Sequence, residues 1–294
     1  MIIDSHAHYN SSAYKKPLRY LAYGADGYTL KEGNREQLFQ ELKDAGIPYS
    51  IEAGVSLQSS EEILQLCDAY PHRIFPSAGV HPTRSFYEKW RDRKKLDTFA
   101  KDPRVIAIGE TGLDYHYKRE EQHRFIQHIW FLYQLNLAWK LKKPVILHIR
   151  DAHEDALRIL KHHPARKLGG VVHCFYASKE IAQQYLKLGY HFGIGGSLLQ
   201  QAERAQDLQE AICHIPLDRI LLETDAPYIL PYCKDVLPPK LLRRAKNTSL
   251  ILPAVIEKIA QLKGISAAEV EQAAFENTIR LFQLPVKEVP HECD

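Results

Sequence analysis

Long apolar runs are missing from this sequence, and their absence excludes a helical membrane protein. No stretch approaches the roughly 18 consecutive apolar residues of a membrane span. Cysteine is scarce and odd in number. Cys67, Cys174, Cys213, Cys233 and Cys293 are the only five, and no two are spaced to pair on a zinc ion. That pattern excludes a disulfide-stapled scaffold and leads us to expect a reduced, cytoplasmic setting. A large excess of one charge is lacking too. The formal net charge is +3, which leaves only local basic patches to meet phosphates. The opening Met1-Ile2-Ile3-Asp4 reads as a strand carrying an acid, not as a signal peptide. Neither an internal repeat nor a linker is visible. One domain is expected over residues 1–284, with a loose tail over 285–294.

What is present is enough apolar material for a large core, 45% of 294 residues. That length suits a single α/β barrel, which typically takes about 250 residues. Strand-like runs fall at 2–8, 47–55, 73–81, 104–110, 144–148, 169–173, 190–194 and 219–225. Several are continuously apolar, such as Val145-Ile146-Leu147 and Ile220-Leu221-Leu222, as strands buried on both faces are. Helical patterns lie between and after them, at 35–45, 60–70, 120–141, 153–162, 179–188, 200–213, 250–263 and 267–281. In the longest, Phe125, Ile129, Tyr133, Leu137 and Leu141 recur every four residues as one apolar stripe. Ser266 and Glu269 have the spacing of a capping box. Eight strands alternating with helices predict a parallel (β/α)₈ TIM barrel. Residues 9–34 show little periodicity and are expected to form an irregular rim loop. Tyr9, Tyr14, Tyr20, Tyr23 and Tyr28 would offer stacking surfaces there, with Gly24 and Gly27 as a hinge; packing of the tyrosines on the barrel is the equal alternative.

The polar residues at the strand ends carry the chemistry. His6 and His8 close the first strand, Glu110 the fourth, His148 the fifth, His173 the sixth and Asp225 the eighth. A barrel gathers its C-terminal strand ends into one pocket. Alternation puts His6 and His8 on one face, as ligands of one ion or as plain polar terminators. Glu110, directly after an apolar strand, needs a metal or an ion-pair partner. Taken singly, His148 and His173 each read more readily as hydrogen-bonded core residues; together with His6 and His8 they point to a shared cation. Asp4 is expected to orient a ligand histidine. Glu223, deeper on its strand than Asp225, is expected to pair with a basic group.

Seven motifs in this order carry a specific resemblance: Asp4-Ser5-His6-Ala7-His8, Gly79-Val80-His81-Pro82, Gly109-Glu110-Thr111-Gly112-Leu113-Asp114-Tyr115, Pro144 through Ala152, His173-Cys174-Phe175, Glu223-Thr224-Asp225-Ala226-Pro227 and Asn277 through Phe282. The chain resembles the TatD family of metal-dependent deoxyribonucleases, within the amidohydrolase-like barrels. The resemblance implies two divalent cations per chain, Mg²⁺, Mn²⁺ or Zn²⁺. It implies one ion on His6, His8, Glu110 and Asp225, and a second on Glu110, His148 and His173, with Glu110 bridging. It implies His81 near the substrate phosphate, with Asp114 and Arg150 either as supports behind the ligands or as further substrate contacts. Phosphodiester hydrolysis on single-stranded DNA, exonucleolytic and by a water that bridges the ions, is then expected, with Asp225 accepting the water's proton. RNA is left open as a substrate. Hydrolysis of another ester or C–N bond, as in an aminoacyl-tRNA deacylase, is the alternative. A monomer without membrane association is expected. The chain departs from the family at Thr83, where relatives commonly carry histidine, and at Lys246-Asn247-Thr248-Ser249, where they often read Arg-Asn-Glu-Pro. Both departures are expected to touch substrate contacts. Arg243, Arg244 and Lys246 would form a basic rim, or else a solvated loop.

Overall fold

In the computed structural model, which describes residues 1–116, 121–200, 202–233, 235 and 237–286, strands and helices alternate along the chain. The strands are β1 (Ile3–Ala7), β2 (Leu18–Gly24), β3 (Gly27–Gly33), β4 (Tyr49–Glu52), β5 (Ile74–Ala78), β6 (Ala107–Asp114), β7 (Val145–Arg150), β8 (Gly170–Val172), β9 (His191–Ile194), β10 (Ile220–Leu222) and β11 (Ala245–Lys246). The helices are α1 (Arg35–Asp44), α2 (Leu57–Ala69), α3 (Arg93–Lys101), α4 (Glu121–Leu141), α5 (His153–His162), α6 (Lys179–Lys187), α7 (Ala202–His214), α8 (Pro239–Leu242), α9 (Leu252–Lys263) and α10 (Ala267–Phe282). Eight strands form one parallel sheet in the order β1-β4-β5-β6-β7-β8-β9-β10. The two end strands meet through an Ala7–Ala226 bridge, with Asp225 N–H donating to His6 O at 2.9 Å. This is the expected (β/α)₈ barrel, and its seam lies where two of the candidate ligands sit.

The core has two compartments. Ile3, Ile51, Phe75, Ala107, Ile146, Val171 and Leu221, one from each of seven barrel strands, pack together with Phe275 and Phe282 of α10. These apolar side chains fill the lower barrel, so an inward polar group has room only near the C-terminal ends. The larger compartment lies between the strands and the surrounding helices. Ser266 and Glu269 form the expected capping box, and Gly264, in the left-handed region at φ 66°, ends α9. No helix among the described residues is long and apolar enough to cross a membrane.

Several expectations change. The apolar stripe of α4 coincides with its buried face only at Leu137: Phe125 is 66% exposed and Ile129, Tyr133 and Leu141 are half-buried, while Gln127, Trp130, Phe131, Gln134, Leu135 and Ala138 are also buried. A spacing of four residues advances about 400°, so such a row winds around the helix. The first predicted position, Glu120, lies outside the described residues. Helix α3 escaped the periodicity because it buries only Leu96 and Ala100. Most of the predicted tail, residues 287–294, also lies outside the described residues.

Residues 9–34 are not an irregular loop. β2 and β3 form an antiparallel hairpin, with Gly24 opposite Gly27 at the turn, and β11 pairs parallel to β2. Tyr9, Tyr14 and Tyr20 are buried, and Tyr23 and Tyr28 half-buried, so they pack instead of offering free faces. Tyr14 Oη donates to Asn247 O at 2.6 Å, and Tyr9 Oη lies 2.7 Å from Ser249 Oγ. Thr248 Oγ1 donates to Leu21 O at 2.9 Å. Asn247, Thr248 and Ser249 are therefore buried joints between the hairpin and the barrel, not substrate contacts. Arg243 and Arg244 stay exposed between α8 and β11.

Asn247 Nδ2 donates to Thr224 O at 2.9 Å and to Ile229 O at 3.1 Å, both flanking Asp225. Asn247→Ala should strand these buried carbonyls and cost about 2 kcal/mol. Thermal unfolding should show a fall of roughly 4–8 °C; an unchanged midpoint would remove Asn247 from the brace.

Candidate metal centre

Five strand ends deliver the six expected ligands to one buried cluster. His6 lies in β1 and His8 just beyond it, Glu110 within β6, His148 within β7, His173 after β8 and Asp225 after β10. Glu110 stands at the centre. Its Oε1 is 2.8 Å from His148 Nδ1, 2.9 Å from His173 Nε2 and 3.3 Å from His81 Nε2. Its Oε2 is 3.4 Å from His6 Nε2 and 3.8 Å from His8 Nε2. Asp225 Oδ1 is 3.1 Å from His8 Nε2 and 3.8 Å from His6 Nε2. Three sets of ligand-type atoms each fall within 4.8 Å: His6, Glu110 and His173; His6, His8 and Asp225; His81, Glu110 and His148. All six expected ligands are thus brought together. His81 joins them more closely than a distant phosphate contact would, and His173 stacks on His6 with centroids 3.9 Å apart.

The outer nitrogen of each ring shows which way its lone pair points. His8 Nδ1 lies 3.1 Å from Ala53 O, which can only accept. His148 Nε2 faces Asp114 Oδ2 at 3.1 Å, and His173 Nδ1 faces Glu223 Oε1 at 3.5 Å. An acceptor outside fixes a proton on the outer nitrogen and turns the inner lone pair toward the cluster. His81 has the opposite arrangement. Thr83 N–H donates to His81 Nδ1 at 3.1 Å and the Thr83 hydroxyl lies 2.7 Å from the same nitrogen, while Nε2 faces the acceptor Glu110 Oε1 at 3.3 Å; with Nδ1 accepting, the neutral ring carries its proton on Nε2, aimed inward. Burial and the neighbouring His148 push His81 down to about 4, which keeps it neutral.

His6 is wholly buried, and neither ring nitrogen has a hydrogen-bond partner among the described residues. A buried imidazole left so is costly unless a cation takes its lone pair. The carboxylates agree. Burial works to raise Glu110, but His173, His81, His6 and the His148 hydrogen bond hold it well below the usual range. Asp225 is lowered against its burial by His8. Burial would lower His8, yet Asp225, Glu110 and Glu52 raise it to about 9. The donor set of imidazoles and ionised carboxylates fits divalent cations.

Other placements differ from expectation. Asp4 touches no ligand ring. It accepts from His6 N–H and Thr224 N–H, each at 3.1 Å, and from Ser249 Oγ at 2.6 Å, pinning β1 to the segment before Asp225. Glu223 does find a basic partner as expected, facing His173, and it also accepts the Cys174 N–H. Arg150 is exposed at the end of β7, outside the buried cluster. Glu52 was missed. It closes β4 beside His8, and burial pushes it up to about 7; an acid ending the apolar Ile51 step was the available signal. Asp225 adopts φ 55°, a left-handed conformation tolerated by Asp and held by its bond to His6 O.

A profile of the family described as TatD related DNase matches residues 3–283. This chain belongs to that family. The 3'-5' ssDNA/RNA exonuclease TatD of Erwinia billingiae (strain Eb661) is 35% identical over 252 residues, covering 86% of this chain and 94% of that protein. YabD of Bacillus subtilis (strain 168), described as an uncharacterized metal-dependent hydrolase, is 29% identical over 97% of this chain and 100% of its own. The crystal structure of YJJV, a TatD homolog from Escherichia coli K12, superposes with a TM-score of 0.80 at 26% identity, covering 97% of this chain and 98% of that one. Family membership thus rests on the whole barrel, and the chain is a metal-dependent hydrolase of the TatD type.

Burial alone would lower His173 as well, but Glu110 and Glu223 raise it well above the usual value. Without a cation, His8 and His173 therefore hold protons at pH 7.5. A cation needs those lone pairs, so binding should release protons, and affinity should rise with pH toward about 9. Calorimetric titration of metal-free protein in buffers of different ionisation heat reads this directly; zero proton release at pH 7.5 would contradict it.

Proposed function

We propose that this chain is a divalent-metal-dependent exonuclease that removes nucleotides from the 3' end of single-stranded DNA and RNA. The carrying observation is the fully buried His6 ring, with Nε2 turned to Glu110 and Asp225 and no hydrogen bond to either nitrogen among the described residues, in a pocket where Glu110 and Asp225 are held ionised. The names of the TatD relatives support the substrate class. They do not favour the alternative, hydrolysis of another ester such as an aminoacyl-tRNA. His6, His8, Glu110 and Asp225 would hold one cation and Glu110, His148 and His173 a second, with Mg²⁺, Mn²⁺ and Zn²⁺ as the candidates. When bound, such a pair supplies Lewis acidity at the phosphate and lowers the pKa of a nearby water.

The chain's own groups do the rest. Asp225 Oδ1, ionised beside His8, accepts the proton of the attacking water. His81 presents its Nε2 proton to a non-bridging phosphate oxygen, because Thr83 occupies its other nitrogen. Asp114 and Glu223 hold the rings of His148 and His173 in register. Arg150, exposed at the rim, meets the backbone beyond the reacting phosphate. We place the protein in the cytoplasm as a monomer; the four described cysteines are unpaired, as a reducing compartment requires.

Chelation should abolish nuclease activity and a divalent cation restore it. Elemental analysis should find both ions lost in Glu110→Ala but one retained in His148→Ala, since only Glu110 faces every histidine of the cluster. Two ions per chain in Glu110→Ala would disprove its bridging role. Asp225→Asn should keep the fold and lower kcat by roughly 10²–10⁴-fold. A rate within about threefold of wild type would remove Asp225 from proton transfer.

A further inference from the structure

Exposed aromatic side chains crowd the catalytic end of the barrel. Among the described residues Phe86 and Tyr87 lie in the segment after β5, Tyr176 follows β8 and Tyr228 follows β10. Tyr228 is nearest the cluster. Its ring stands 5.9 Å from the His8 ring, and its backbone N–H donates to Asp225 O at 2.8 Å. Yet it is 57% exposed, and its hydroxyl has no hydrogen-bond partner among the described residues. A tyrosine kept for packing buries its ring; this one is anchored by its backbone and leaves the ring open to solvent.

A cation stands nearby. Arg84 is exposed, and its guanidinium makes no ion pair or hydrogen bond among the described residues. Its backbone N–H donates to His81 O at 2.8 Å, so it sits one tight turn from the inward-facing His81. Arg84 and Tyr228 thus each hang by a backbone bond from a residue of the cluster, His81 for the arginine and Asp225 for the tyrosine. An open aromatic face and an unpaired guanidinium, each bonded through its backbone to a residue of the cluster, match the two recurring parts of a single strand, base and phosphate.

We propose that Tyr228 and Arg84 form a nucleotide clamp at the mouth of the site. Tyr228 stacks on a base flanking the scissile phosphate, and Arg84 grips the neighbouring phosphate. The clamp rests on the nuclease reading above. Because every base has a π-face, it binds without sequence preference and selects unpaired strands, whose bases are free to stack.

The test uses metal-loaded wild-type protein and single-stranded oligodeoxynucleotides of one length. They are either intact or carry tetrahydrofuran abasic analogues at the two positions flanking the 3'-terminal phosphodiester. Wild type should show a KM roughly tenfold lower for the intact strand. Tyr228→Ala should bring the two KM values within about twofold, and Tyr228→Phe, which keeps the ring, should preserve the difference. If Tyr228→Ala is inactive, the same ratio is read from equilibrium binding to metal-free protein. An unchanged ratio in Tyr228→Ala overturns the clamp, even if both substrates suffer equally, because the ring would then merely support His8. Arg84→Gln should make the slope of log KM against log salt shallower by about 0.7; an unchanged slope removes the arginine. Cleavage of both strands by wild type without discrimination overturns the clamp alone. Cleavage of neither overturns the nuclease reading itself.

Discussion

One buried carboxylate organises this protein. Glu110 is 2% exposed and lies within 4 Å of a nitrogen on each of five histidines. Removing an ionised carboxylate from water costs far more than a single hydrogen bond returns. The surroundings must therefore supply positive charge, whether from protonated imidazoles or from cations that displace those protons. Either way Glu110 holds the charges of four barrel strands to one point. The electrostatic cost of the site and its ability to bind metal have the same origin.

Around this centre lies a shell whose task is orientation. Ala53 O, Asp114 and Glu223 each face the outer nitrogen of a histidine, and so settle which nitrogen looks inward. Thr83 does the reverse for His81 and makes it a donor. The same ring type thus serves two purposes, decided by what stands behind it. Thr83 meets His81 Nδ1 twice, by its backbone N–H at 3.1 Å and its hydroxyl at 2.7 Å.

The barrel seam carries a further constraint. β10 and β1 meet through few backbone bonds, at the positions that bear His6, His8 and Asp225. Asp4 ties the two sides through Thr224 and Ser249, and the hairpin of β2 and β3 buttresses the segment Asn247–Ser249 from outside. Thr248 and Ser249 complete this joint with their hydroxyls, which reach Leu21 O and Asp4. The tyrosines after β1 belong to that buttress. Their abundance suggested a stacking surface, but three of the five are buried.

The barrel, its strand count and the six residues of the cluster were legible in the sequence, because both are local patterns. Buried parallel strands read as apolar runs, and a polar residue that ends such a run stands out against them. The capping box at Ser266 and Glu269 was legible for the same reason. Three things were decided only by tertiary structure. The inward face of α4 depended on what packs against it, since that helix is apolar on several sides. The hairpin's role came from hydrogen bonds to residues more than 200 positions away. The direction of each histidine's lone pair was set by Ala53, Asp114, Glu223 and Thr83, partners that differ in kind and share no spacing. Periodicity reports which residues are buried along one element; it carries no information about which groups from other elements meet them there.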